Sequence, residues 1–210
     1  MTPIQQINRL TAEKIIKNLE KRDMQGFYCE TKEDALKKAL ELTKEGSSVS
    51  WGGSESIKEI GLLDALRSGN YTLFDRYKAK TPEETRQVFL QAFDADFYFM
   101  STNAITLDGE LLNIDGMGNR TAALIFGPRN VVIIAGMNKV TTDLDTAVKR
   151  VRCKACPPNA LRVGAATPCS KTGVCHECLG GTICCQIVTT RQSRIKDRIK
   201  VILVGEDLGY

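Results

Sequence analysis

A short run of apolar residues, VVIIAG (131–136), constrains the fold of this 210-residue chain more than any other feature. A strand with one face in water alternates apolar and polar residues, whereas an uninterrupted apolar run is typical of a strand that is buried on both faces. Such strands belong to parallel sheets, because the helices that connect parallel strands cover both faces of the sheet. The run therefore predicts an α/β fold.

Segments with helical periodicity alternate with strand-like segments along most of the chain. The predicted helices cover about residues 4–22, 31–42, 55–67, 82–93, 119–126 and 142–152, and the predicted strands cover 26–30, 47–51, 71–75, 96–101, 131–136, 183–191 and 200–205. The start at Thr81 is the most strongly marked, since Pro82 suits the first helical position and Glu84 completes a capping box. This alternation predicts a mainly parallel open sheet with helices on both faces.

Two segments predict local structure in more detail. ITLDGELLNI (105–114) alternates apolar and polar residues around Asp108 and Gly109, which is typical of a β-hairpin with a two-residue turn. The apolar residues of the first helix lie near helical spacing and predict an amphipathic helix: Ile4, Ile7, Leu10, Ile15 and Leu19.

Length and a hydrophobic content of 42% fit one globular domain over residues 1–210. The N-terminus lacks the apolar stretch of a signal peptide, and no window approaches the roughly 20 apolar residues of a membrane span. We therefore expect a cytoplasmic protein with reduced thiols. The net charge of +4 is mild and its basic residues carry no interleaved aromatics, so nucleic acid is not expected as a partner. The sequence leaves open whether the chain forms a homo-oligomer.

Seven of the eight cysteines lie between residues 153 and 185. The stretch 153–182 is too long and too rich in cysteine, proline and glycine for an ordinary connection, so we expect a loop appended to the domain. A chain of this length builds its core without disulfide staples, which makes a metal or iron–sulfur site the favoured explanation. The remaining cysteine, Cys29, lies in a predicted strand and is expected to be a small core residue.

Spacing alone leaves two sets of four ligands open. A Cys-x2-Cys turn places two thiolates on one side of a bend, where both can reach one metal or cluster. The first set is Cys169, Cys175, Cys178 and Cys184, and the second set is Cys153, Cys156, Cys175 and Cys178. The second set has the two-knuckle pattern of zinc sites.

Two glycine-containing segments predict a pocket for a small anionic molecule. Gly52, Gly53 and Ser54 join a predicted strand to a helix, where glycine lets a ligand approach and the first N–H groups of the helix favour an anion. A plain strand-to-helix turn is the alternative. The second segment follows the hairpin and contributes Asn103, Asn113, Asp115, Gly116, Gly118, Asn119 and Arg120.

Three residues near this pocket are candidates for catalysis. Arg120 is expected to pair with a carboxylate or phosphate in a fork geometry, and Asp115 is the acid/base candidate. Lys139 lies just beyond the apolar strand, where open α/β sheets place ligands. The single histidine excludes a credible Ser-His-Asp set, and the Walker and GxGxxG motifs of conventional ATP or NAD binding are absent.

Several long motifs together resemble the LUD-domain family of lactate-utilisation proteins. They are STNAITLDGELLNIDGMGNRTAALIFGPRNVVIIAGMNKV, which starts at Ser101, WGGSESIKEIG (51–61), the TPC…TGxCxxC…IC segment and the closing VILVGEDLGY (201–210). The resemblance spans nearly the whole chain and is to the short, cysteine-bearing branch. It implies a fold akin to the ribose-phosphate isomerase, glucosamine-phosphate deaminase and CoA-transferase group, and it favours Cys169, Cys175, Cys178 and Cys184 as ligands.

The resemblance also implies a role. Members are associated with lactate-oxidation operons that encode iron–sulfur proteins, so we expect an iron–sulfur cluster of the [4Fe–4S] type, with zinc as the alternative metal. The leading hypothesis is electron transfer or assembly in the redox metabolism of a small hydroxy- or oxo-acid, with other lactate-oxidation proteins as partners. The alternatives are an isomerase- or acyl-transferase-type enzyme with a structural zinc loop, and a zinc-stapled interaction module without redox activity.

Overall fold

The computed structural model describes all 210 residues. The helices are α1 Pro3–Glu20, α2 Lys32–Leu42, α3 Glu55–Glu59, α4 Leu62–Ser68, α5 Pro82–Ala92, α6 Asn119–Ile125, α7 Leu144–Arg150, α8 Cys156–Arg162 and α9 Pro168–Thr172. The strands are β1 Gln25–Cys29, β2 Ser48–Trp51, β3 Thr72–Phe74, β4 Phe97–Met100, β5 Ala104–Thr106, β6 Leu111–Asp115, β7 Asn130–Gly136, β8 Val140–Thr141, β9 Gln186–Thr190 and β10 Ile199–Val204. No helix is both long and apolar enough to cross a bilayer.

Six strands form a central sheet in the order β1-β10-β7-β4-β2-β3, and every neighbouring pair is parallel. The apolar run lies in β7, between β10 and β4. Its side chains alternate between two hydrophobic cores, with Val131 and Ile133 in one and Val132 and Ile134 in the other. Because both faces of the sheet are covered, the run does not have to alternate apolar and polar residues. The predicted α/β fold with a mainly parallel sheet is confirmed.

Helices pack on both faces of this sheet, as the alternation predicts. Helix α1 covers one face, while α2, α3 and α4 supply buried residues to the other. The predicted apolar face of α1 is correct only in part. Ile15 and Leu19 are buried, whereas Ile4, Ile7 and Leu10 are exposed. With 3.6 residues per turn, Leu10 lies on the opposite side of the helix from Leu19, and Ile7 also lies away from the buried face, so both are in contact with solvent.

A second sheet of four short strands, in the order β8-β5-β6-β9, lies beside the first. Its β5 and β6 form the predicted hairpin, with Ile105 opposite Leu111. The turn has three residues where two were predicted, since the Thr106 N–H donates to the Glu110 carbonyl at 2.9 Å and leaves residues 107–109 outside the ladder. Strand β9 closes the far edge of this sheet by pairing antiparallel with β6.

Two predicted boundaries are wrong for identifiable reasons. The helix predicted over 55–67 is divided into α3 and α4 at Gly61, whose φ of +74° breaks the helical backbone. The loop predicted over 153–182 begins as helix, because α7 continues through a π-helical turn, Val151–Ala155, into α8. Proline at the start of α8 is tolerated because the first helical N–H groups need no intrahelical acceptor.

Candidate functional site

A cavity of about 380 Å³ opens at the carboxyl ends of the central strands. Its wall contains residues that come directly or shortly after four of those strands: Gly53 after β2, Arg76 after β3, Ser101 after β4 and Lys139 after β7. In open α/β sheets this edge is the usual place for ligands, because the loops there are free to vary while the strands hold them in position. The fold therefore presents one candidate site at the expected edge.

Most of the residues predicted to form the pocket lie in the wall of this cavity. They are Gly53, Ser54, Asn103, Asp115, Gly116, Asn119, Arg120 and Lys139. Three others, Gly52, Asn113 and Gly118, stand behind the wall and do not line it. Asn113 is fully buried, and its amide oxygen contacts the Arg120 guanidinium. The two predicted segments thus meet in space, although they are separated by some fifty residues in sequence.

Lys139 is the most unusual group in the wall. Its side chain is buried, with 4% of the residue exposed, and its Nζ lies 2.9 Å from both Ser56 Oγ and Ser101 Oγ. It forms no ion pair with any carboxylate of the chain. Burial, followed by the positive charges of Arg150 and Arg120, lowers the pKa of Lys139 from 10.5 to about 7. This amine is therefore near its titration point at neutral pH.

Arg120 is held entirely by oxygens of the protein. Its Nη1 donates to the Ser101 carbonyl at 3.1 Å and to Asn113 Oδ1 at 2.5 Å, and its Nη2 donates to Asn103 Oδ1 and the Ile114 carbonyl, both at 3.0 Å. The four N–H bonds of the guanidinium fork are thereby used. The fork that was expected to grip a ligand instead ties the end of β4 to the end of β6, and Arg120 acts as a positioning residue.

The glycines after β2 make room for arginine side chains. A Cβ at Gly52 would lie 3.1 Å from Arg120 Cδ, and a Cβ at Gly53 would lie 2.3 Å from Arg76 Nη2. Sequence reasoning expected these glycines to admit a ligand. In the structure Gly52 makes room for the aliphatic part of the Arg120 side chain, and Gly53 makes room for the Arg76 guanidinium, which adds positive charge to the cavity wall.

Asp115 caps helix α6. Its Oδ2 accepts hydrogen bonds from the Thr121 N–H at 3.1 Å and the Thr121 hydroxyl at 3.3 Å, which replaces the missing side-chain cap of Gly118. Its Oδ1 lies 3.7 Å from Arg120 Nε. The carboxylate predicted as an acid/base group therefore has a demonstrable structural role, and its catalytic role stays a prediction.

Positive groups outnumber carboxylates around the cavity. Arg162 pairs with Glu55 at 3.4 Å, whereas Arg76 and Lys139 have no carboxylate within ion-pair distance. Unpaired cations in a partly enclosed wall favour a bound carboxylate or phosphate. Sequence reasoning missed Arg76 and Ser101, yet Arg76 follows one predicted strand and Ser101 ends another, so the rule that ligands sit at strand ends would have found them.

Two thiols complete the wall. Cys156, at the start of α8, and Cys184 both line the cavity, and their sulfur atoms are 3.5 Å apart. The hydrogen bond with Cys156 lowers the pKa of Cys184 to about 6, and the same bond with burial raises the pKa of Cys156. The electrostatic influence of Cys184, Cys175 and Cys169 adds to this rise in the pKa of Cys156.

The cysteine-rich region exists as predicted, but its thiols are not gathered around one point. No three histidine, cysteine, aspartate or glutamate side chains are arranged to hold a single metal ion. Cys184 of the favoured set contacts Cys156 of the rival set, and Cys153 is exposed. The donor chemistry fits an iron–sulfur cluster or zinc, since both take thiolate ligands. Which four thiols bind stays a prediction.

The cysteine segment is tied to the pocket through its backbone. The Cys185 N–H donates to the Asp115 carbonyl at 2.9 Å, and a Cβ at Gly116 would lie 3.3 Å from the Ile183 carbonyl. The segment and the loop after β6 are therefore in direct contact, with little space between them. Comparison with known proteins concerns the chain as a whole. The profile of the LUD domain matches residues 12–204.

The chain belongs to the LUD-domain family. The structure is also similar to a solved one, that of a DUF162 family protein from Deinococcus radiodurans, with a TM-score of 0.56 over 94% of this chain and 98% of that chain. The two sequences are 11% identical, so this likeness shows a shared fold. Among proteins with curated functions, none matches this LUD-domain chain.

Proposed function

We propose that this LUD-domain protein binds a small hydroxy- or oxo-acid in the cavity and takes part in its redox metabolism with a cysteine-held iron–sulfur cluster. One observation carries the proposal: the thiols of Cys156 and Cys184 line the same cavity as the unpaired cation Lys139. An acid bound at the cation would therefore lie next to the cysteine segment. A volume of about 380 Å³ suits a small molecule.

The anionic end of the acid is expected to bind between Lys139 and Arg76. Both line the cavity, and neither is neutralised by a carboxylate of the chain. An anion at this place would also stabilise the charged form of Lys139 and raise its pKa, since an opposite charge favours ionisation. The pocket would then bind the acid more tightly as the pH falls through 7.

The cluster would be held by the cysteine segment, from the ligand set that the family motif favours: Cys169, Cys175, Cys178 and Cys184. A bound cluster supplies one-electron chemistry, and its potential depends on charge and solvent exposure. Cys156 stands beside Cys184 as a further thiol. The chain's own groups act separately from the cluster. Lys139 holds the acid and exchanges a proton with its hydroxyl or carbonyl oxygen, while Arg120 keeps the loops in position.

Anaerobic purification tests this proposal. Iron, sulfide and zinc are measured per chain, and the visible absorption spectrum is recorded before and after dithionite and after addition of lactate or pyruvate. We expect iron and sulfide in equal amounts, a reversible visible band, and a change of that band when the acid is added.

The control uses two cysteine variants. Cys184→Ser should lose the band, whereas Cys29→Ser should keep it, because Cys29 is buried in a hydrophobic core away from the cavity. A colourless protein that contains zinc and stays colourless after reconstitution with iron and sulfide would overturn the redox role.

A further inference from the structure

We propose that the cavity also carries an acyl-transfer site, in which Ser101 is the nucleophile, Lys139 is its general base and Ser56 is a positioning residue. The substrate class is an ester or thioester of a small acid that bears a second, anionic group. This activity uses no metal and does not rest on the cysteine segment.

The geometry of the three side chains carries the proposal. Ser101 Oγ and Ser56 Oγ each lie 2.9 Å from Lys139 Nζ, within the range that allows direct proton transfer. All three residues line the cavity, so an acyl group could reach them. They come from three separate elements, namely the end of β4, the start of α3 and the turn after β7. A serine next to a lysine base is one of the recurring solutions for acyl transfer.

Ser101 is favoured over Ser56 as the nucleophile because it is easier to reach. Ser101 is 7% exposed and Ser56 is 1% exposed. The Ser56 hydroxyl donates to the Leu208 carbonyl at 3.3 Å, which leaves its oxygen to accept a proton of Lys139. Ser56 thereby orients the amine. The backbone of Ser101 is fixed through its carbonyl, which accepts from Arg120 Nη1.

A lysine can serve as a base only when it is neutral. The charged groups that act on Lys139 are Arg150 and Arg120, which disfavour its protonation, and Glu59, which favours it. Burial is the largest effect and also disfavours the charge. With the pKa of Lys139 at about 7, a large fraction of the amine is free to accept a proton at neutral pH.

The reaction balances with water as the only co-reactant. The Ser101 hydroxyl, which donates to the Thr102 carbonyl at 3.2 Å, first turns toward the neutral Lys139 amine. Ser101 Oγ then bonds to the carbonyl carbon while its proton moves to Lys139 Nζ. The bond from that carbon to the leaving oxygen or sulfur then breaks, and the leaving group takes the proton from Lys139. Water next attacks the serine ester and gives a proton to Lys139, which returns it to Ser101 Oγ as the ester breaks. Arg76, which also lines the cavity and has no carboxylate within ion-pair distance, would hold the anionic end of the acyl group.

The test uses the mono-4-nitrophenyl ester of succinic acid, with 4-nitrophenyl acetate as the uncharged comparison. We expect a burst of nitrophenolate, one succinyl group per chain by intact mass, and peptide mapping of that group to Ser101. The succinyl ester should react faster than the acetyl ester. The same adduct should form on protein stripped of metal, which separates this activity from the redox role.

Variants decide the assignment. Ser101→Ala should lose the adduct and slow the burst by at least about 100-fold, the usual contribution of such a group. Lys139→Arg should lose the burst as well, since arginine keeps its proton. Ser68→Ala serves as the matched control, because Ser68 is exposed on α4 and far from the machinery described.

Two results would overturn the proposal: no adduct on the native chain, or an adduct that maps to a cysteine or persists in Ser101→Ala. Ser101→Cys guards against a folding defect. It should still be acylated, now through a thioester that hydroxylamine cleaves rapidly. A Ser101→Cys protein that folds but takes no succinyl group at residue 101 would also count against the assignment.

Discussion

Replacing Lys139 with methionine is expected to stabilise the folded chain at acidic pH and to destabilise it at alkaline pH. The ammonium group of Lys139 is buried and has only two hydroxyl groups as partners, so its charge is poorly solvated. Methionine has a similar length, carries no charge and adapts to irregular space. The hydroxyls it leaves behind keep backbone acceptors, the Leu208 carbonyl for Ser56 and the Thr102 carbonyl for Ser101.

The magnitude follows from the pKa. Because the folded chain binds this proton only below about pH 7 and the unfolded chain binds it up to 10.5, the unfolded chain holds more protons between these values. The stability of the native protein therefore rises with pH across that window, and this gain is lost again as the pH falls to 7. At about 1.4 kcal/mol per pH unit, the charge costs the fold about 5 kcal/mol below pH 7.

The variant also loses the two hydrogen bonds of Lys139 to serine, which cost about 2 kcal/mol together. Lys139→Met should thus be more stable than the native chain by about 3 kcal/mol at pH 6 and less stable by about 1 kcal/mol at pH 10, with the two curves crossing in between. Such a crossing indicates a buried charge, since a packing effect alone would change the stability in the same direction at acidic and at alkaline pH.

Urea unfolding, followed by circular dichroism at a series of pH values, measures these differences. Lys14→Met is the control, because Lys14 is exposed on α1 and its replacement should leave the pH dependence unchanged. If Lys139→Met is destabilised equally at acidic and alkaline pH, the ammonium group is well solvated in the fold. The role of Lys139 as a neutral base would then be refuted as well.

Three further substitutions test the site. Gly53→Val should displace the Arg76 guanidinium and weaken phosphate binding about 10-fold or more, measured by calorimetry, while the melting temperature changes little. Arg120→Lys should lower the free energy of unfolding by about 3 kcal/mol in urea, because lysine cannot replace the four N–H bonds of the fork; an unchanged value would show that the fork is dispensable. Cys184→Ser should reduce bound metal per chain sharply and Cys29→Ser should not, as metal analysis will show; equal loss in both would place the metal elsewhere.

The central architecture could be predicted from the sequence because it depends on local patterns. The apolar run of β7 and the alternation of elements reflect a sheet that is covered on both faces, and each pattern is read from adjacent residues. The exposed Ile4, Ile7 and Leu10 could not be predicted in this way. Approximate helical spacing shows that the segment forms a helix, but which of its apolar residues meet the sheet depends on the assembled fold.

The position of the candidate site could be predicted from the sequence, but only some of its residues and contacts could. Glycine-rich turns and polar residues at strand ends indicated loops that line the cavity, and Lys139 was selected by its place after β7. The contact of Lys139 with Ser56 and Ser101 was not predictable, since these residues are distant in sequence and meet only through the sheet order. The acceptors of the Arg120 fork were not predictable for the same reason, because they come from loops that fold around it.

The contact between the cysteine segment and the loop after β6 makes the two halves of the site thermodynamically dependent on each other. The backbone bond from Cys185 to Asp115 and the tight approach of Gly116 to Ile183 join the two sides, so a displacement of one changes the surroundings of the other. Coupling between two binding events is reciprocal, so a metal that reshapes the segment must change the affinity of the pocket by the same factor that a pocket ligand changes the affinity for metal. If the segment binds a metal, the affinity of the pocket for its ligand would then depend on the state of the thiols.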